Sequence, residues 1–202
     1  MRAAGGLEAG AGALILAPMV RVIALILMVA PMVAWSGNGA ARQDDPRLDA
    51  LFERLRLTAD GYEANLIERE IWDIWTASDA EALDQLMERG IRAMSQGEHE
   101  VALAAFNSIV EAAPDFAEGW NKRATLYWLM GDFEASVADI ERTLALEPRH
   151  FGALSGLAMI RMAQQRLADA AKALKAVIAI HPHAGDAARQ LERIEQIIGT
   201  ET

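Results

Sequence analysis

Histidine side chains are the groups in this sequence with the clearest capacity to bind a metal or to move a proton. His181 and His183 flank one proline, His150 follows another, and His99 stands apart from them. A zinc site needs three or four ligands that converge in tetrahedral geometry, and two histidines on either side of one proline rarely converge in this way. The spacing therefore predicts no metal centre.

The remaining polar residues disfavour catalysis. Glu68 and Glu70, like Asp139 and Glu141, are two positions apart, so the members of each pair face different sides of a helix and cannot flank a bond. Residues 152–156 (GALSG) have the wrong spacing for a nucleophile elbow and follow no strand. The chain contains no cysteine, which excludes disulfides and thiolate chemistry. We therefore predict no catalytic residue and no cofactor.

Composition and charge narrow the class of protein further. The chain has 202 residues and a formal charge of -10, with 19 Lys and Arg against 29 Asp and Glu, so no general basic field exists to attract nucleic acid. Pro and Gly are sparse after residue 46, where Ala, Leu, Glu and Arg dominate. This composition favours helices, and we predict an all-α fold.

The first 41 residues form an address and are excluded from the fold. Residues 13–35 are apolar except for Arg21, and small polar residues follow at 36–41, as in a secretory signal with cleavage after Ala41. We expect an exported, periplasmic protein. An uncleaved membrane anchor is the alternative, and this segment is then the only contact with a membrane.

The position of the start codon affects how well this signal fits. From Met1, a glycine-rich stretch with Glu8 precedes the apolar run. From Met19, Met19-Val20-Arg21 becomes a short positive region and residues 22–35 become an apolar region of ordinary length. Translation from Met19 is a hypothesis, and both starts remain open.

An internal repeat of 34 residues organises the rest of the chain. Pro114, Pro148 and Pro182 are 34 residues apart, which divides the sequence into windows 83–116, 117–150 and 151–184. Small residues recur at the eighth and twentieth positions of each window: Gly90, Ala124 and Ala158, then Ala102, Ser136 and Ala170. Large apolar residues recur at the fourth and twenty-fourth positions: Leu86, Trp120 and Leu154, then Phe106, Ile140 and Leu174. This pattern predicts two antiparallel helices in each window that approach closely at the small residues.

The three windows resemble tetratricopeptide repeats over 102 of the 202 residues. The resemblance implies a helix-turn-helix solenoid of three repeats with a concave face. Residues 185–202 carry a one-sided apolar stripe and are predicted to form a capping helix. Residues 42–82 are predicted to form an N-terminal helical pair, which could be a degenerate repeat and which we expect to pack on the first repeat, with Trp72 and Trp75 in the core.

In a tetratricopeptide solenoid, positions two, five, nine and twelve of each first helix face the concave groove. The resemblance therefore implies a partner-binding groove lined by Met87, Ile91, Met94, Asn121, Thr125, Trp128, Met159 and Met162. Methionine and tryptophan suit apolar peptide or helix side chains of varied shape, and Asn121 is expected to bond the ligand backbone. Family members that grip C-terminal carboxylates carry Lys and Asn where this chain has Met87 and Ile91, so a chaperone tail is not the expected ligand.

These inferences predict a non-catalytic protein-interaction scaffold of the cell envelope whose partner is a protein or a peptide. In the alternative, the protein is a structural subunit of a membrane-tethered envelope complex, and the groove is filled by residues 46–82 of the same chain. Nothing in the sequence sets an oligomeric state.

Overall fold

The computed structural model describes residues 42–200, which are helical and contain no strand. The all-α prediction is confirmed. After a short 3-10 helix at Arg42–Asp44, the α-helices are α1 (Arg47–Leu57), α2 (Gly61–Thr76), α3 (Glu81–Ser95), α4 (His99–Ala112), α5 (Ala117–Met130), α6 (Phe133–Leu146), α7 (Phe151–Ala163), α8 (Leu167–Ile180) and α9 (Gly185–Thr200). Among these residues, no helix is both long and apolar enough to cross a membrane. The predicted signal, its cleavage after Ala41 and the choice between Met1 and Met19 lie outside the described residues.

Each 34-residue window contains one pair of helices. Helix α3 packs on α4, α5 on α6 and α7 on α8, and successive pairs pack on one another to build a solenoid. Helix α9 covers the open side of α8, with Ala187 and Ile194 buried and Leu191 and Ile198 packed against the same core. The apolar stripe at the C-terminus therefore caps the last pair.

Small residues bring the two helices of a pair together, as their spacing predicted. A Cβ atom on Gly90 would lie 2.5 Å from Cε1 of Phe106, so the ring of Phe106 lies directly against the backbone of α3. In the next pair, the hydroxyl of Ser136 donates a 2.7 Å hydrogen bond to the backbone oxygen of Ala124. A larger side chain at these positions would separate the helices.

The turn within each pair repeats the same backbone conformation at the same 34-residue interval. Gly97, Gly131 and Gln165 all have positive φ angles, of 74°, 79° and 60°. Glycine enters this left-handed region at little cost because it has no Cβ atom, whereas glutamine is strained there. The third pair therefore keeps the geometry of the repeat without the residue that favours it.

The N-terminal pair, α1 and α2, does not pack where the sequence predicted. Leu48, Phe52, Ile71 and Trp75 share a core with residues of α7, α8 and α9 rather than with the first repeat: Phe151, Ala158, Ala170, Ala171, Ala173, Leu174, Val177, Ala187 and Ile194. The prediction was wrong because the stripe of apolar residues shows that a helix has a buried face, but not which surface covers it.

Candidate functional site

The concave face of the solenoid holds a small open pocket between α5 and α7. Its volume is about 80 Å³, and it is lined by Asn121, Ala124, Thr125, Trp128, Ser136, Ile140, Gly152, Ala153, Gly156, Met159 and Ile160. Four of the eight predicted groove residues lie here together: Asn121, Thr125, Trp128 and Met159. The structure thus brings half of the predicted set to one place.

The pocket exists because its walls are built from small residues. Gly152 and Gly156 are one turn apart on α7, and Ala124 faces them from α5. A Cβ atom on Gly156 would meet only Cδ1 of Ile140, at 3.6 Å, which is an ordinary contact. The space above Gly156 is therefore open to a side chain from outside the solenoid.

Two pocket residues present their side chains to solvent. Met159 is 39% exposed and Thr125 is exposed, while Trp128 is partly buried against the core of the second pair. The pocket rim thus combines a flexible thioether, an indole and a methyl group, which together form an adaptable apolar surface.

The other four predicted groove residues lie away from this pocket. Met87 is 4% exposed and belongs to the core of the first pair, so it is not available to a ligand in this structure. Ile91 is 37% exposed, whereas Met94 and Met162 are partly buried against neighbouring cores. The core of the first pair is what removes Met87 from the groove.

A buried polar cluster that sequence reasoning missed lies at the first turns of α5 and α7. Asn121 donates a hydrogen bond from Nδ2 to Oε2 of Glu118, at 2.9 Å, and His150 Nε2 lies 2.9 Å from the same oxygen. Nδ1 of His150 accepts from the backbone N–H of Ala153, so the ring proton is on Nε2 and is donated to Glu118. The other carboxylate oxygen of Glu118 forms an ion pair with Lys122 at 2.8 Å.

The cluster keeps Glu118 ionised inside the protein. Burial opposes ionisation, but the hydrogen bond from His150 and the charge of Lys122 outweigh it and hold the pKa of Glu118 below its ordinary value. Asn121 is 6% exposed and is already bonded to this carboxylate. Its Nδ2 is thus partly committed inside the protein, which limits the expected role of Asn121 in bonding a ligand backbone.

The N-terminal pair closes one end of the groove. Trp72, on α2, lies over Gly152, where a Cβ atom would be 2.6 Å from Cη2 of the indole. Lys122 Nζ lies 5.5 Å from the centre of the same ring. Thr125 and Met159, further along the groove, remain exposed. Self-occlusion by residues 46–82 is therefore partial and confined to the first turns of α5 and α7.

Three histidines that the sequence left without a role fasten the N-terminal pair to the solenoid. His150 stacks on Trp75, with ring centroids 4.2 Å apart. His181 donates from Nε2 to Oε2 of Glu68 at 3.2 Å, and His183 donates from Nε2 to the backbone oxygen of Thr58 at 2.9 Å. The signal that points to this role is the proline spacing, because it aligns His150 and His181 at successive inter-repeat turns on one edge of the solenoid.

The same edge carries further polar contacts to the N-terminal segment. Arg149 pairs with Asp49 at 2.7 Å, and Gln43 Nε2 donates to the backbone oxygen of Asp115 at 2.5 Å. The hydrogen bond from His181 lowers the pKa of Glu68 by more than its partial burial raises it. Within residues 42–200, no three histidine or carboxylate side chains are arranged to hold a metal ion.

Arg123 occupies a repeat position that is usually apolar, and the structure gives it a partner. Its Nε and Nη2 atoms bond the two carboxylate oxygens of Asp139 at 2.7 and 2.8 Å, and Nη1 donates to Asn107. The guanidinium also lies 4.9 Å from the ring centre of Trp120. This arrangement ties α5 to α6 and α4 and makes no contribution to the pocket.

Comparison with known proteins identifies relatives of this chain. The family profile described as Tetratricopeptide repeat matches residues 87–131 and 121–185. A TPR repeat-containing protein of Rhizobium etli is 33% identical over 189 residues, which cover 89% of this chain and 93% of the relative. The tetratricopeptide repeat protein 36 homolog of Nematostella vectensis is 29% identical over 55% of this chain and 61% of its own length.

Solved structures share the fold of the described helices. The first TPR of Spaghetti (RPAP3), bound to an HSP90 peptide, is 25% identical, with a TM-score of 0.57 over 60% of this chain and 96% of that domain. A crystal structure of MamA is 17% identical, with a TM-score of 0.55 over 73% of this chain and 84% of that protein. The second likeness concerns the fold alone.

Proposed function

The chain belongs to the tetratricopeptide repeat family, and from this premise we propose that it is a non-catalytic scaffold that binds a peptide or helix on its concave face. The family relationship supports a protein-interaction role, since repeats of this kind in the RPAP3 domain hold a peptide. The single observation that carries the proposal is the pocket between α5 and α7, with Thr125 and Met159 exposed at its rim.

The chemistry of the pocket points to an apolar ligand side chain. Its polar lining groups are few, and its size suits one side chain such as leucine or methionine. Met87 and Ile91 stand where binders of chaperone tails carry Lys and Asn, so we propose a ligand recognised by apolar contacts rather than by a terminal carboxylate. For a short solenoid we expect a dissociation constant of about 1 µM.

The binding test uses selected peptides and a matched pair of variants. A random twelve-residue phage library is panned on the purified protein in dodecyl maltoside, and the enriched peptides are measured by fluorescence anisotropy. Trp128→Ala/Met159→Ala removes two walls of the pocket, so affinity should fall at least about tenfold. Leu129→Ala/Met130→Ala is the control, because these side chains are 46% and 44% exposed on the same helix but do not line the pocket.

Circular dichroism checks that both double variants remain helical. If the enriched peptides bind all three proteins equally, the concave pocket is not the binding site and the proposal fails.

The alternative function is a structural subunit of a membrane-tethered envelope complex. Two observations favour it: Trp72 closes one end of the groove, and Met87 is buried in the core. A photo-crosslinking residue at Thr125 in the native host separates the two functions, with Leu129 as the control position. Capture of a partner from Thr125 alone supports groove binding, whereas capture from neither position favours the structural role.

We further propose that the protein works in the cell envelope, exported to the periplasm or anchored by its N-terminal segment. The support is the apolar run at residues 13–35 followed by small residues up to Ala41. Fusion of alkaline phosphatase after Thr202 should give an active enzyme only if the chain is exported. The N-terminal sequence of the purified protein then distinguishes cleavage after Ala41 from an uncleaved anchor, and an inactive fusion would contradict export.

A further inference from the structure

One pocket residue is shared between the solenoid and the N-terminal pair. Gly152 lines the pocket, and the indole of Trp72 lies against it so closely that no Cβ atom would fit between them. Trp72 comes from α2, outside the three repeats, and it is adjacent in space to the first turns of α5 and α7. The groove is therefore bounded at this end by a side chain that the repeats do not provide.

The indole of Trp72 is held in place by aromatic neighbours. Its ring meets Trp75, His150 and Phe151 edge-on, with centroids 5.4, 5.5 and 5.4 Å away and interplanar angles of 86°, 80° and 90°. Lys122 Nζ lies 5.5 Å from the ring centre, within cation–π range. Because Trp75 and His150 are themselves buried, these contacts fix the position of Trp72.

The length of the groove follows from the helix that lines it. Asn121 and Trp128 are seven residues apart on α5, so the pocket runs for about 10 Å along this helix. Trp72 bounds it beside Gly152, at the first turn of α7, and Trp128 bounds it on the other side. A space of this length between two indoles accommodates one large side chain, not a second.

We propose that Trp72 is a specificity-determining residue of the groove: its indole is the end wall that restricts the pocket to a single apolar side chain of the ligand. The inference rests on the proposed function and assigns the N-terminal pair a direct part in binding. Removal of the indole would lengthen the groove beside Gly152 by the space of one aromatic ring.

The test repeats the phage panning on two proteins, the wild type and Trp72→Ala. Peptides enriched on the wild type should bind Trp72→Ala at least about tenfold more weakly, because they lose the wall they pack against. Peptides enriched on Trp72→Ala should carry one more aromatic residue at one end and should prefer this variant over the wild type at least about tenfold. Trp72→Phe should restore most of the affinity of the wild-type peptides.

A matched control separates this role from a loss of structure. Trp120→Ala removes an indole that is likewise partly buried but that packs on Arg123 and Arg142 and does not line the pocket. It should leave the affinity of the wild-type peptides unchanged. Hydrogen exchange of residues 151–163 shows whether α7 stays folded in Trp72→Ala.

Each result decides between distinct conclusions. Equal affinities of the wild-type peptides for the wild type and Trp72→Ala overturn the role of Trp72, even where Trp128→Ala/Met159→Ala still weakens binding and the proposed function stands. Weaker binding to Trp72→Ala accompanied by faster exchange across α7, or by no change in peptide preference, also overturns it, since Trp72 would then act only through stability. Peptides that depend on none of these residues contradict the proposed function itself.

Discussion

His150 stacks on Trp75 with the two ring planes only 9° apart, although the residues are 75 positions apart in the sequence. The imidazole begins α7 by accepting from the backbone of Ala153, and it donates to the buried Glu118. One side chain thus connects the N-terminal pair, the second repeat and the third repeat. The stability of the contact between the N-terminal pair and the solenoid should depend on it.

Replacement of His150 by alanine should lower the free energy of unfolding by about 3 kcal/mol or more. The variant leaves Glu118 buried with one donor fewer and removes the cap of α7. His150→Asn should recover about 1 kcal/mol because asparagine can cap the helix. Urea unfolding measures both changes, and His99→Ala, on α4, is the control with an expected change below about 0.5 kcal/mol. Equal losses for His150→Ala and His99→Ala would contradict the prediction.

Two glycines one turn apart on α7 should respond in opposite ways to alanine. A Cβ atom at Gly152 would lie 2.6 Å from the indole of Trp72, so Gly152→Ala should cost about 1–3 kcal/mol. Gly156→Ala meets only Ile140 at 3.6 Å and should gain about 0.5–1 kcal/mol from helix propensity. Thermal unfolding of the two variants checks the sign of each change, and stabilisation by Gly152→Ala would show that Trp72 does not lie against α7.

The strained turn at Gln165 should be relieved by glycine. Its φ angle of 60° matches those of Gly97 and Gly131 in the other two repeats. Gln165→Gly should therefore stabilise the protein by about 1 kcal/mol, and Gly131→Ala should destabilise it by a similar amount. The midpoint of urea unfolding reports both, and the proposed turn conformation is wrong if Gln165→Gly lowers it.

Stability should fall in acid through Glu68. Because its pKa is lowered in the folded protein, Glu68 stabilises the fold above its ordinary pKa of 4.5, and this contribution is lost as the pH falls through the folded pKa. The difference in unfolding free energy between wild type and Glu68→Gln should therefore shrink from about pH 6 to about pH 3. Glu192→Gln, an exposed carboxylate on α9, should show a difference near zero throughout. A difference for Glu68→Gln that is independent of pH would exclude this mechanism.

The pair of Arg123 and Asp139 should be worth more than a surface ion pair. Asp139 is 4% exposed, so Arg123→Ala leaves a buried carboxylate unpaired and should cost about 3 kcal/mol. Arg123→Lys should restore only part of this, since lysine cannot form the two parallel bonds. Arg92→Ala breaks an exposed contact with Glu88 and should change stability by less than about 0.5 kcal/mol, as measured by the same unfolding assay. Similar losses for Arg123→Ala and Arg92→Ala would contradict this ranking.

The sequence by itself determined the repeat and the local structure within it. The 34-residue spacing of Pro114, Pro148 and Pro182 marked the turns between helical pairs, and small residues such as Gly90 marked the close approach of two helices. Such features depend on residues that are near in the sequence, so periodicity reveals them. The spacing also indicated half of the pocket, because groove positions recur with the repeat.

Only the tertiary structure decided where the N-terminal pair packs and which groove positions stay open. An apolar stripe records that α2 has a buried face but not that Trp75 stacks on His150 or that Trp72 covers Gly152. These contacts join residues 75 and 80 positions apart, and neither local propensity nor the 34-residue period constrains them. Met87 illustrates the same limit, since its repeat position predicted a groove residue and the packing of the first pair buried it.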